Sequence, residues 1–186
     1  MKGLIMLLLL GVLVSCGQPA PTTEQAPPPP PVNEDDLLLR LSAYLSTDTS
    51  RTAREQNEIV DYAIENLLDV RVSDSGLFYH IEAEGDGEAI AWGDYLKVHY
   101  KGYLLDGTVF ADSRKQDRPL AFYVGNMIPA WNEGLPYIKV GGKLLMLVPS
   151  HLGYGAEGLN TSKGRVIVPP YQLLAFEVEV LEKVLD

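Results

Sequence analysis

The sequence predicts an α+β fold, two helices followed by antiparallel strands, and three stretches carry that expectation. Leu96, Val98 and Tyr100 alternate with Lys97, His99 and Lys101, the period of two that marks a half-buried strand. Asp106-Gly107 then supplies the positive-φ residues of a tight hairpin turn, and Val109-Phe110 begins the return strand. Between residues 33 and 70 the apolar residues recur at helical spacing instead. The hairpin aims two aromatics, Tyr100 and Phe110, at one buried side.

The totals bound the rest. With 186 residues the chain suits one domain with extensions, and 46% hydrophobic against 22% charged residues is enough for a real core. A formal net charge of −10 gives no attraction to phosphate backbones, so nucleic acid is not an expected partner. Cys16 is the single cysteine, which rules out an intramolecular disulfide and a cysteine metal cluster. Beyond the N-terminus there is no run of about twenty apolar residues, so the mature chain is not expected to span a membrane.

In chain order, Lys2 precedes an apolar run from Leu4 to Val14 and then Ser15-Cys16-Gly17, the pattern of a signal peptide over residues 1–15. Leu13-Val14-Ser15-Cys16 resembles a bacterial lipobox. That resemblance implies cleavage before Cys16, lipidation of Cys16 and a membrane partner held through the lipid anchor. Gly17 rather than Asp at the next position resembles default sorting to the outer membrane, facing the periplasm. Residues 16–32 form a linker whose Pro27 to Pro31 run favours an extended, solvated chain.

A helical extension is expected over residues 33–70. Asn33 suits an N-cap, acidic residues fill the first turn, and Leu37, Leu41, Tyr44 and Leu45 make a stripe. Thr52-Ala53-Arg54-Glu55 has capping-box form for a second helix with Ile59, Val60, Ala63, Ile64, Leu67 and Leu68 on one side. These stripes serve either as a dimerisation arm or as packing faces, and the short helices favour packing. The sheet pattern is complete in residues 71–186, which are therefore expected to fold without the extension.

Within 71–186, Phe78-Tyr79 starts a short entry strand and residues 119–124 regain strand character. Ile128 to Gly134 reads as one short helix with Pro129 in its first turn. Leu144 to Val148 is a strand, Gly153 to Arg165 a loop, and Leu174, Phe176, Val178 and Val180 alternate with Glu177 and Glu179 in a strand with one wet face. Several chemical motifs fail for want of context. Gly153-Tyr154-Gly155-Ala156-Glu157-Gly158 follows a strand ended by Pro149 and precedes no helix. His80, His99 and His151 lack metal-ligand spacing, and His99 falls on the solvent side of its strand. What remains is a scattered aromatic and aliphatic set.

Val98-His99-Tyr100-Lys101-Gly102 with Asp106-Gly107-Thr108-Val109-Phe110 resembles the Val-His-Tyr-x-Gly…Asp-Gly-x-x-Phe core of FKBP-type peptidyl-prolyl cis-trans isomerases. The resemblance covers about residues 71 to 186. It implies a twisted antiparallel sheet wrapped around the short helix, and a proline-gripping pocket that needs no metal or other cofactor. It further implies that Trp131 forms the floor and that Tyr100, Phe110, Phe122 and Phe176 form the walls. Ile128 and Ile167 would border the mouth, Val168 would lie beside it, and the Tyr154 hydroxyl would bond a substrate carbonyl. The implied partners are proline-containing polypeptides, and the implied role is folding of exported proteins. The family pattern is broken at Ala111, where Asp is usual, at Leu120, where an aromatic is common, and in the loop from Gly158 to Arg165. Ala111 implies reduced turnover and weak macrolide ligands, and it leaves a binding module without turnover as the alternative function.

Overall fold

Asn33 opens the first helix, α1 (Glu34–Ser42), by accepting hydrogen bonds from the backbone N–H groups of Asp35 and Asp36. The computed structural model describes residues 33–184. The expected signal peptide (1–15), Cys16 and the linker to residue 32 lie outside the described residues. In the last turn of α1, Arg40 donates to Val70 O at 2.9 Å and pairs with Asp69, tying the helix to the chain that enters the sheet. The second helix, α2 (Arg51–Glu65), is capped by Ser50, not by Thr52 as the sequence suggests. Ser50 has extended backbone and its Oγ accepts from Ala53 N at 3.2 Å, which leaves Thr52 inside the helix. The apolar stripes are also shorter than the sequence suggests. Tyr44 and Leu45 follow the end of α1, and Leu67 follows α2 with a φ of 52°; all three are exposed.

The strands are β1 (Arg71–Val72), β2 (Phe78–Ala83), β3 (Tyr95–Leu104), β4 (Val109–Asp112), β5 (Leu120–Tyr123), β6 (Lys143–Val148), β7 (Leu159–Asn160), β8 (Val166–Val168) and β9 (Leu174–Val184), with α3 (Pro129–Gly134) between β5 and β6. The main sheet runs β1-β2-β6-β9-β3-β4, β5 also pairs with β3, and all the pairings are antiparallel. The β7–β8 hairpin stands apart; its two-residue first strand lies in the stretch read as loop.

Alternation sorts the side chains onto two faces. On the front face Leu96, Val98, Leu144, Met146, Phe176 and Val178 pack with Ala130, Trp131 and Leu135 of the α3 region. Here the sheet covers the short helix, as expected. On the back face Phe78, Leu145, Leu147 and Ala175 pack under Leu37, Leu41, Ile59, Val60 and Ala63 of the two helices. The apolar stripes of α1 and α2 are thus spent on the sheet, and residues 33–70 share a core with residues 71–184. Further along the same back face the surface is charged, with Lys101 paired to Glu177, and Lys143 and Arg114 to Glu179. The wet face expected for β9 is therefore wet only in part, because Ala175 lies beneath the helices.

Candidate active site

Four aromatic rings converge on the front face, each delivered by a different element. Alternation on β3 turns Tyr100 inward. Trp131 comes from α3, which tolerates Pro129 because the first helical N–H needs no partner. The approach to α3 is fixed by Asn132, whose Oδ1 accepts from Gly125 N (2.9 Å) and Met127 N (3.2 Å) while its Nδ2 donates to Met127 O (2.7 Å). Phe176 comes from β9 and Phe122 from β5.

Trp131 is 1% exposed and is met edge-on by its neighbours. Ring centroids lie 5.2 Å away for Tyr100, 5.4 Å for Phe122 and 5.5 Å for Phe176, with interplanar angles of 83°, 62° and 88°. Such edge-to-face arrangements are favourable between aromatic rings and hold the indole in place. Its Nε1 has no hydrogen-bond partner, the one buried side-chain polar atom among the described residues in that condition.

Phe110 stands at an irregularity. Gly102 pairs with Ala111 and Tyr103 with Val109, so Phe110 is the extra residue of a β-bulge. It meets Phe176 at 5.7 Å and Tyr154 at 6.5 Å, both edge-on. Tyr154 rises from a loop that follows β6. Together these groups frame a small recess of ≈ 40 Å³. Tyr100, Ile128, Trp131, Tyr154 and Phe176 line it, joined by Leu120 and Met127. Phe110 braces the rim through Tyr154 and Phe176, and Phe122, 8% exposed, backs the indole. Ile167 packs half-buried on the core, and Val168, 1% exposed, is a core residue paired with Leu159. Neither lines the recess.

The recess is electrostatically quiet. Burial raises the pKa of the Tyr154 hydroxyl above its ordinary 10, with Tyr100 adding to it, and burial alone does the same for Tyr100. Both phenols therefore stay protonated as donors at neutral pH. The carboxylate that the family pattern places beside Phe110 is missing. Ala111 lies opposite Gly102, and Asp112 accepts from the backbone N–H groups of Arg114 and Lys115, at 3.1 Å each. Those bonds hold its carboxyl below the usual range, Lys115 N contributing most. Asp112 borders a groove on the charged back face with Lys101 and Glu177, away from the recess.

Three supporting residues were not legible as such. Ser113, 4% exposed, accepts from Tyr100 N at 2.8 Å and donates to Tyr100 O at 3.1 Å, pinning β3 where it enters the recess. It also meets His99 Nδ1 at 3.0 Å, so His99 is half-buried on the back side. Asn132 and Met127 sit where only the pattern around Ile128-Pro129 hinted at a helix start.

Comparison with known proteins gives the family and the fold. The family described as FKBP-type peptidyl-prolyl cis-trans isomerase matches residues 87–181. A probable FKBP-type peptidyl-prolyl cis-trans isomerase of Haemophilus influenzae is 35% identical over 145 residues, covering 78% of this chain and 58% of the relative. The chain spans about half the length of the curated relatives it matches. Among solved structures, FkpA from Escherichia coli aligns with a TM-score of 0.60 and 32% identity over 80% of this chain and 63% of its own. AtFKBP13 aligns with a TM-score of 0.57 and 33% identity over 62% of this chain and 99% of its own.

Proposed function

Because this chain belongs to the FKBP-type peptidyl-prolyl cis-trans isomerase family, we propose that its recess turns peptidyl-prolyl bonds between cis and trans by a non-covalent route. The observation that carries the reading is the Trp131 floor, buried and ringed by Tyr100, Phe122 and Phe176. A flat apolar floor of this kind grips a proline ring.

Rotation about a peptide bond is opposed by about 18–20 kcal/mol of resonance stabilisation. The planar amide is more charge-separated than the twisted one, so a dry apolar recess favours the twisted state over the planar. The Tyr154 hydroxyl, kept protonated by burial, donates to the substrate carbonyl as it turns. Ile128 flanks the entering chain at the recess, with Ile167 beyond its lining. Each tenfold gain in rate asks for about 1.36 kcal/mol of differential binding, within reach of a few such contacts. The substrates are proline-containing polypeptides, whose uncatalysed isomerisation takes tens to hundreds of seconds.

The setting we propose is the cell envelope, with the chain lipid-anchored through Cys16 to the outer membrane, facing the periplasm and serving exported proteins. The lone cysteine at the end of a signal-peptide pattern supports it. A protease-coupled or refolding assay on residues 33–186 tests the activity, and no acceleration of a proline-limited step would overturn it. Detergent-phase partitioning of Cys16→Ser tests the anchor, which unchanged partitioning would refute.

A second reading, a binding module without useful turnover, is favoured by Ala111. No carboxylate stands opposite Gly102, and Asp112 is engaged elsewhere. Under this reading proline-containing segments bind without acceleration, and macrolides bind weakly under either.

A further inference from the structure

Glu55 is a buried carboxylate that the chemistry above leaves unused. It lies in α2, is 7% exposed, and takes part in none of the ion pairs among the described residues. Both its oxygens are committed to one residue of the distant loop after β6. Oε2 accepts from Ser150 N at 2.9 Å and Oε1 from Ser150 Oγ at 2.7 Å. A carboxylate withdrawn from water without a cation is costly, and charge-assisted bonds to two donors of one residue fix that residue's orientation.

The segment fixed in this way carries Tyr154. Ser150 O accepts from Gly153 N at 3.1 Å and from Gly155 N at 2.9 Å, so the two neighbours of Tyr154 both close onto Ser150. Gly155 O in turn accepts from Tyr171 N at 2.8 Å, and Arg51, one turn before Glu55, lies 3.4 Å from the centroid of the Tyr171 ring. The first turns of α2 therefore grip the loop at two points, one buried and one at the surface. On the other side of the loop Tyr154 meets Phe110 and borders the recess.

We propose that Glu55 is a positioning residue that, through Ser150, sets where Tyr154 stands over the recess, which makes α2 a working part of the isomerase site. The inference rests on the isomerase reading for the role of Tyr154. It implies that a helix on the back of the sheet governs how well the front face orients a turning carbonyl.

The test is a double-mutant cycle in the whole chain. Glu55→Gln keeps the volume but turns an NH₂ group toward a Ser150 donor. It should lower kcat/KM about three- to tenfold, the worth of one well-placed hydrogen bond. In a Tyr154→Ala background the same substitution should cost less than about twofold, because there is no longer a ring to misplace. Amide hydrogen exchange should quicken in residues 150–155 and stay unchanged in β3. Unchanged kcat/KM, or an equal loss in the Tyr154→Ala background, overturns the proposal. If Glu55→Gln does not fold, Arg51→Ala removes the surface contact alone and carries the same cycle with a smaller loss. A loss that persists without Tyr154 again overturns it. A wild-type chain without turnover would defeat the isomerase reading instead; the bracing is then decided by exchange in residues 150–155, and unchanged exchange refutes it.

Discussion

Gly102 and Phe110 touch across β3 and β4 only because residue 102 has no side chain. A methyl group there would stand 2.7 Å from Phe110 Cζ and 2.9 Å from Phe176 Cε1. The ring that braces the rim and a ring that lines the recess thus converge on one backbone position, and the bulge at Phe110 brings the first of them in.

Gly102→Ala is expected to push both rings outward. Overpacking of this kind costs about 1–3 kcal/mol of stability, and the displaced walls should lower kcat/KM by a larger factor than that loss predicts for the folded fraction. Urea unfolding and the isomerase assay, run on the same preparations, measure the two effects. Wild-type values in both would show that the walls do not need this contact.

Ala111→Asp should restore a carboxylate at the recess edge and tighten macrolide binding. A hydrogen bond gained is worth about 0.5–1.5 kcal/mol, or roughly two- to twelvefold in affinity. Asp112 is no substitute, since Arg114 N and Lys115 N already occupy it. Calorimetric titration of both proteins with one macrolide gives the answer, and equal affinities would mean that the position has no such role.

Ile59 is 0% exposed in the core between α2 and the back of the sheet. Ile59→Ala should cost about 2–5 kcal/mol, the range for emptying a packed aliphatic site. Deleting residues 33–70 would bare Phe78, Leu145, Leu147 and Ala175 together, so the remaining chain should melt at lower urea and bind hydrophobic dyes. A truncated chain with the wild-type midpoint would show that the second core adds nothing to stability.

Alkaline pH should destabilise the fold. Burial, with Glu133 beside it, lifts Tyr137 to about 12, and burial also raises Tyr100 and Tyr154 above 10. The unfolded chain loses these protons near pH 10 while the folded chain keeps them. Their contribution is therefore full below about pH 10 and is lost as the pH climbs through the folded values. Urea midpoints between pH 8 and 12 should fall across that window, and less steeply for Tyr137→Phe. A midpoint that rises above pH 10 contradicts the assignment.

What the sequence discloses depends on how local each cause is. The β3 hairpin and β9 are legible because alternation is written over a few adjacent residues, and the recess aromatics follow from a motif within the hairpin and its family pattern. The second core is not legible. Leu145 and Leu147 sit in a continuous apolar run, and Ala175 next to Glu177 carries no signal, so nothing in sequence says which helix covers them. Ser113, Asn132 and Glu55 look like ordinary polar residues. Their meaning lies in partners reached through space, 95 positions away for Glu55 and Ser150. Ser50 outcompetes Thr52 as a cap for a reason visible only in backbone angles.

The placement of β9 bears on how the molecule comes into being. This strand lies between β6 and β3, so the middle of the sheet is filled by residues 174–184, which pair with residues 95–104 and 143–148. A chain synthesised from its N-terminus therefore holds β3 and β6 with open edges until these residues emerge, and Trp131 lacks the Phe176 ring until then. Pairings so distant along the chain are slow to form, and unpaired edges invite aggregation while they wait. Chains released short of residue 174 would lack the central strand of the sheet, and the recess is completed in one step with β9 rather than growing as the polypeptide lengthens.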